Sequence, residues 1–186
     1  MTAAILYATR EGQTRRIALR IADGLKLRGV KVDIFNVRAA LPADWSRYST
    51  ACVAASVHRG HHEPEIVELA TTHRAELERL GASFVSVTLS EAGVEDPKRT
   101  DAVRQHAIAD VQRMLDVFVE ETGWRPARMF PVAGALVYSK YNLLVRFIMK
   151  RIARKEGAPT DTSRDYEFTN WDAVDRFAVD MAEGIR

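Results

Sequence analysis

Six consecutive residues near the amino terminus have the chemistry of a phosphate-binding loop. Thr9 and Thr14 supply hydroxyl groups, and Gln13 supplies an amide. Arg10 adds positive charge, and Gly12 lets the backbone turn tightly. The stretch lies between an apolar run and an amphipathic helical pattern, and backbone N–H groups at a helix start attract anions. We therefore expect a phosphate site at this turn, with Thr9, Arg10, Glu11, Gly12, Gln13 and Thr14 as its ligands; the alternative is an ordinary capped turn.

Two better-known phosphate motifs are missing from the sequence. There is no G-x-x-x-x-G-K-[ST], so hydrolysis of a magnesium nucleotide is not supported. No G-x-G-x-x-G follows the first apolar run, so a dinucleotide site is not supported either. The remaining pattern resembles the flavodoxin loop that wraps the phosphate of FMN.

A second polar stretch, Ser56-Val-His-Arg-Gly-His-His62, follows another apolar run. In a flavin-binding sheet this position abuts the isoalloxazine ring, where Arg59 can stabilise negative charge on the reduced flavin. His61 and His62 are candidates for proton transfer near neutral pH. A solvated loop remains an alternative, and metal binding lacks any supporting spacing. The predicted flavin contacts here are Ser56, Val57, His58, Arg59 and Gly60.

A third stretch, residues 88–97, is predicted to close the other side of the ring. The flavin contacts assigned at the start of this stretch and just before it are Val87, Thr88, Leu89 and Ser90. The acidic residues of the stretch are expected to be solvated.

The segment 138–155 is basic and amphipathic. From Tyr138 to Arg164 the chain has seven basic and two acidic residues, a charge of +5 against −3 for the rest. A helix over 138–155 gathers an apolar face and sets basic residues opposite, which suits an anionic membrane surface or a lipophilic substrate. The alternative is that the apolar face packs on the domain and the basic face is solvated; no motif supports nucleic acid. The residues assigned to substrate or membrane are Tyr138, Lys140, Tyr141, Arg146, Lys150, Arg151 and Arg154.

The elements that position these stretches alternate between strands and helices. Apolar runs predict strands at 3–8, 30–35, 51–56, 83–89 and 131–137, and helical patterns occupy 65–80, 100–121 and 171–185. Five such strands predict a flavodoxin-like, doubly wound α/β domain with a parallel sheet covered on both faces. We expect a single domain over 1–186, with the basic segment as an insert at about 138–165.

Composition agrees with a cytoplasmic globular protein. The chain has 186 residues, 47% of them hydrophobic, and one cysteine, Cys52, expected to be a buried structural residue and not a redox thiol. We expect no secretory leader, and no apolar run is long enough to span a membrane.

Several motifs together resemble the flavodoxin-like, quinone-dependent protoporphyrinogen oxidases of bacterial haem biosynthesis. The similarity covers nearly the whole chain in order. The motifs are Tyr7-Ala-Thr-Arg-Glu-Gly-Gln-Thr14, Ala55-Ser-Val-His-Arg-Gly-His61, Gly123-Trp-Arg-Pro126, Ala133-Gly-Ala-Leu-Val-Tyr138, Thr160-Asp-Thr162 and Thr169-Asn-Trp171.

The resemblance implies FMN as cofactor, protoporphyrinogen IX as substrate and menaquinone or ubiquinone as acceptor. It also implies peripheral attachment to the cytoplasmic face of the inner membrane. Two alternatives stay open: a flavodoxin-type electron carrier or soluble quinone reductase, and a membrane-associated module without enzymatic activity. The sequence does not determine the oligomeric state and is compatible with a homo-oligomer.

Overall fold

The computed structural model describes residues 1–142, 146–147, 150–151, 153–154 and 160–184. Within these ranges the elements are β1 (Thr2–Tyr7), α1 (Gln13–Lys26), β2 (Lys31–Asn36), β3 (Thr50–His58), β4 (His61–His62), α2 (Pro64–Thr72), α3 (Arg74–Arg79), β5 (Ser83–Thr88), α4 (Ser90–Glu95), α5 (Asp101–Thr122), β6 (Arg128–Ala133), β7 (Ala135–Leu136), β8 (Tyr166–Glu167) and α6 (Trp171–Glu183). Short 3₁₀ turns occupy Trp45–Arg47 and Tyr138–Lys140.

Five strands form one parallel sheet in the order β2-β1-β3-β5-β6. The order reverses at β1, because the chain places β2 on one side of it and β3 on the other. In open sheets of this kind, ligands bind beyond the carboxyl ends of the strands at such a switch point. The predicted five-stranded, doubly wound sheet is confirmed, and loop 9–14 lies at its switch point.

Both faces of the sheet are covered, which explains why its strands are nearly continuous apolar runs. On one face, Ile5 of β1 packs in a cluster with Ile17 of α1 and Val174 of α6. On the other face, Leu6 belongs to a cluster that includes Phe118 of α5. Neighbouring residues of β1 thus anchor opposite layers, as the alternation of side chains in a strand requires. Cys52 is fully buried in the first cluster, as expected of a structural cysteine.

The predicted helix over 65–80 is wrong as a single element, because α2 ends at Thr72 and α3 begins at Arg74. His73 between them has φ −107° and ψ 28°. Its ring packs on Trp45, with 4.9 Å between ring centroids. The break thus coincides with a packing contact from the connection between β2 and β3.

The predicted strand over 131–137 is also wrong at both ends. β6 begins at Arg128 and ends at Ala133, and β7 pairs with β8 in a separate antiparallel sheet. Gly134 explains the change of partner: its N–H donates to the Thr88 carbonyl at 3.2 Å, and its carbonyl accepts from Phe168 N–H at 3.0 Å. The chain therefore leaves the main sheet at Gly134 and pairs with the segment before α6.

The insert differs from the predicted helix over 138–155 at its start. Residues 138–140 form a 3₁₀ turn and Tyr141 is extended. The described residues 146–147, 150–151 and 153–154 are helical. Of the apolar face predicted for this helix, Tyr141 is buried, and the remaining residues lie outside the described part of the chain: Leu144, Val145, Ile148, Met149 and Ile152.

Candidate functional site

Loop 9–14 leads from β1 into an open helix start. Gly12, the residue before α1, has φ 103°, a conformation that a side chain would strain. Its N–H donates to Thr9 Oγ1 at 2.9 Å, which closes the loop on itself. In the described chain, no side chain caps the first turn of α1 and no acid lies in that turn. The N–H groups of this turn are thus available to an anion, and the site fits a phosphate group.

Gln13 has a different role from the predicted phosphate donor. Its Nε2 donates to Glu167 Oε1 at 2.7 Å and to Thr169 Oγ1 at 2.8 Å, which uses both of its N–H groups. Thr169 in turn donates to the Ala133 carbonyl at 2.7 Å. Gln13 therefore ties the loop to the segment before α6, and Thr14 is buried beside it. Arg10 is exposed.

Two basic residues from distant parts of the chain fix loop 9–14 from outside. Arg38, just beyond β2, donates from Nη1 to the Thr9 carbonyl at 3.1 Å and pairs with Glu65 at 2.9 Å. Lys140, in the 3₁₀ turn after β7, donates from Nζ to the Glu11 carbonyl. The sequence did not predict a role for Arg38, although Arg38 follows a strand that lies beside β1. The predicted role of Lys140, at substrate or membrane, did not include this bond to loop 9–14.

The predicted loop at 56–62 is a β-hairpin. β3 continues to His58, and β4 returns antiparallel, with His58 opposite His61. Arg59 and Gly60 form the two-residue turn with φ 55° and 87°, the sign that such tight hairpins require. The hairpin extends β3 beyond the carboxyl edge of the sheet, next to loop 9–14.

The two histidines of the returning strand face different surroundings. His61 is exposed, and its Nδ1 lies 2.8 Å from Glu121 Oε1 at the end of α5. His62 is buried, with its ring 5.0 Å from those of Phe84 and Phe118 and its Nε2 2.9 Å from Ser86 Oγ. Burial lowers the pKa of His62 to about 4, so the ring is neutral at pH 7. His62 is thus a core residue in this structure, contrary to the predicted role in proton transfer near neutral pH.

A cluster of polar groups lies between the hairpin and loop 9–14. His58 Nε2 is 3.2 Å from Ser56 Oγ, 3.5 Å from Glu63 Oε1 and 3.9 Å from Glu11 Oε2. Ser56 donates to Glu63 Oε1, and Glu63 is fully buried. Glu63 Oε2 has no hydrogen-bond partner among the described residues. The sequence did not single out Glu63, which lies in a polar stretch between the histidines and the next helix.

The stretch after β5 is less solvated than expected. Residues 90–95 form α4, and Val87, Thr88 and Ser90 are buried. Leu89 packs on a small cluster formed by Leu136, Tyr138, Tyr141 and Ala153. Glu91 is buried too, and this burial, with a smaller effect of the Glu95 charge, raises the pKa of Glu91 to about 7. The expectation of solvated acids is therefore wrong for Glu91.

The described part of the insert separates into a packed side and an exposed side. Tyr138 and Tyr141 are buried against each other, with ring centroids 5.9 Å apart. Arg146 Nη2 donates to both of their carbonyls, at 3.1 and 3.3 Å, so it is half-buried and not a free surface charge. Three residues are exposed at helical spacing on one face: Phe147, Arg151 and Arg154. Lys150 is half-exposed.

The strand order and an uncapped helix start at the switch point define a doubly wound domain of the flavodoxin type. The chain matches the Flavodoxin domain family over residues 4–163. A short-chain flavodoxin associated with a non-canonical PDU bacterial microcompartment has a TM-score of 0.56 at 14% identity, covering 100% of this chain and 99% of its own. Oxidised flavodoxin 1 from Bacillus cereus has a TM-score of 0.53 at 12% identity, covering 98% of each chain. These likenesses establish the fold.

Two relatives are closer in sequence. Protoporphyrinogen IX dehydrogenase (quinone) of Escherichia coli strain K12 is 34% identical over 182 residues, which cover 98% of this chain and 95% of that protein. The protein of the same name from Leishmania major is 30% identical over 96% of this chain and 73% of its own length. The chain therefore belongs to the flavodoxin-domain family of quinone-dependent protoporphyrinogen IX dehydrogenases, which confirms the resemblance seen in the sequence.

Proposed function

We propose that this protein oxidises protoporphyrinogen IX to protoporphyrin IX with FMN, and passes the electrons to menaquinone or ubiquinone in haem biosynthesis. The observation that carries the proposal is the match to relatives named for this reaction, which spans 98% of the chain. The overall oxidation removes six electrons and six protons from the porphyrinogen. It therefore takes three two-electron rounds, each of which converts one quinone to a quinol.

The residues of the site fit FMN in two places. The open start of α1, with Gly12 and Thr9 beside it, would hold the phosphate. The ends of β3 and β5, at Ser56–Gly60 and Val87–Ser90, would border the flavin ring. When bound, FMN supplies two-electron redox chemistry, which no side chain of the protein can.

The protein's own side chains would position the cofactor and bind or release protons beside it. His58 lies between the carboxylates of Glu63 and Glu11, at 3.5 and 3.9 Å, and its side chain is 28% exposed. Its Nε2 can hold a proton at the border of the site and exchange it with solvent. We assign His58 this role in place of His62, which is buried in the aromatic cluster.

We also propose that the protein attaches peripherally to an anionic membrane, at the cytoplasmic face of the inner membrane. Phe147 is 61% exposed, and Arg151 and Arg154 lie on the same helical face. An aromatic ring flanked by arginines suits the boundary between head groups and acyl chains. Attachment would bring the site to a quinone dissolved in the bilayer.

In the described part of the chain, no helix has both the length and the apolar character needed to cross a bilayer.

The decisive experiment is porphyrin fluorescence after anaerobic mixing of FMN-loaded protein, protoporphyrinogen IX and a quinone, with a quinone-free control. A fluorescence rise that depends on quinone supports the proposed activity. Absence of any rise above the control, from protein that holds flavin, would indicate an electron carrier or quinone reductase. Protein that stays colourless with FMN would indicate a module without flavin chemistry.

A further inference from the structure

Lys140 belongs to the insert, yet its ammonium group lies on loop 9–14. Its Nζ donates to the Glu11 carbonyl. The same atom is 3.4 Å from the position that a Cβ on Gly12 would occupy. The cation therefore sits beside the residue that opens α1, where the N–H groups of the first turn are uncapped.

The backbone around Lys140 is held on both sides. Ser139 donates to Asp165 from its N–H at 2.8 Å and from its hydroxyl at 2.6 Å. Tyr138 and Tyr141 are buried, and Arg146 bonds to both of their carbonyls. Lys140 is exposed between these anchors, so its side chain is presented to the loop from a fixed turn.

A positive charge beside the loop would strengthen the binding of a phosphate monoester. Such a group has a charge of about −1.5 to −2 at neutral pH. In loop 9–14, Glu11 offsets the charge of Arg10, so the loop is neutral in sum. An ammonium group has three N–H donors, and the bond to Glu11 uses one of them. The other two can bind phosphate oxygens.

We propose that Lys140 binds the phosphate of the flavin nucleotide together with the start of α1, so that the insert contributes directly to cofactor binding. The inference rests on the proposed use of FMN. It assigns Lys140 to the cofactor, whereas Phe147, Arg151 and Arg154 are left to face the membrane. The base of the insert is then part of the flavin site.

The test compares FMN with riboflavin, which has the same ring and no phosphate. Lys140→Met keeps an unbranched side chain, one atom shorter, and removes its charge. We expect it to weaken FMN binding about tenfold, the loss of one charge-assisted hydrogen bond, and to leave riboflavin binding unchanged. Lys140→Arg should restore most of the FMN affinity. Lys31→Met, the same charge change at the opposite end of the sheet, is the control.

Flavin fluorescence titration gives both dissociation constants, and thermal melting of each variant checks folding. Unchanged FMN affinity in Lys140→Met would overturn the inference, and so would an equal loss for FMN and riboflavin. Raising the ionic strength should weaken FMN binding more in the wild type than in Lys140→Met. If the wild type binds neither flavin, it is the proposed function that fails. Vesicle binding distinguishes the cofactor phosphate from lipid phosphates. If Lys140→Met binds FMN more weakly but binds anionic vesicles like the wild type, Lys140 acts on the cofactor. If it loses vesicle binding and keeps FMN binding, Lys140 acts on lipid and the inference is wrong.

Discussion

His58 Nε2 lies 3.5 Å from Glu63 Oε1, and this contact joins the end of β3 to the residue before α2. Ser56 donates to the same carboxylate oxygen. Because Glu63 is fully buried, its carboxylate is stabilised by contacts with these neighbours and not by water. One carboxylate thus holds the two strands of the hairpin together, and His58 Nε2 also lies 3.9 Å from Glu11 Oε2 of loop 9–14.

The first prediction concerns this carboxylate. Glu63→Ala should lower the free energy of unfolding by about 1–3 kcal/mol, because it leaves Ser56 without its acceptor and removes the carboxylate nearest to His58. Glu63→Gln keeps an acceptor oxygen and should cost less. Urea denaturation of both variants measures the difference. Equal stability of Glu63→Ala and the wild type would show that the cluster does not hold the hairpin.

The second prediction concerns Gly12, which combines φ 103° with a close neighbour at Lys140 Nζ. Gly12→Ala should cost about 1–3 kcal/mol in stability through backbone strain and should also weaken FMN binding, because the new methyl group points at the phosphate site. Gly29→Ala is the matched control. Gly29 has φ 78° and nothing within 4 Å of a new Cβ. Gly29→Ala therefore introduces backbone strain without a new steric contact. FMN titration should separate the two variants; equal affinities would place the phosphate elsewhere.

The general fold and the position of the first loop could be predicted from sequence because both depend on local patterns. Apolar runs fix the strands, and the order of strand, glycine loop and helix fixes the switch point. Gly134 shows the limit of this reasoning. The residues after it remain apolar, so the pattern continues while the backbone changes partner from Thr88 to Phe168.

The site contacts that the sequence did not predict join distant segments. Lys140 reaches loop 9–14 across 129 positions, and Arg38 reaches it across 29. His62 looked chemically available because its neighbours in sequence are polar, but Phe84 and Phe118 enclose it in the fold. No periodicity or spacing reports such contacts.

The third prediction is a pH dependence that comes from Glu91. Burial raises its pKa from 4.5 to about 7, so the folded protein binds more protons than the unfolded chain between these values. The contribution of Glu91 to stability is therefore complete below pH 4.5 and is lost as the pH rises through 7. Glu91→Gln should be more stable than the wild type above pH 7 and should lose this advantage below pH 4.5.

Thermal melting across this range measures the Glu91 effect. Glu68→Gln, at an exposed position of α2, removes the same charge without burial and should show no such trend. If the difference in melting temperature between the wild type and Glu91→Gln does not change with pH, Glu91 has the same pKa in the folded and unfolded chains and the prediction is wrong.

The last prediction concerns the exposed face formed by Phe147, Arg151 and Arg154. Each basic residue near an anionic surface contributes about 1 kcal/mol, so Arg151→Gln with Arg154→Gln should weaken binding to anionic vesicles roughly 30-fold. Phe147→Ser should weaken binding to the same vesicles, because apolar burial is lost. The size of this loss should depend little on the salt concentration. A double variant at Arg28 and Lys98, both exposed outside the insert, is the charge-matched control. Vesicle sedimentation measures all three variants. A specific attachment face requires that the position of the charges matters. If the control variant loses as much affinity for the vesicles as the insert variant, the protein is attracted by its net charge alone and the proposed face is wrong.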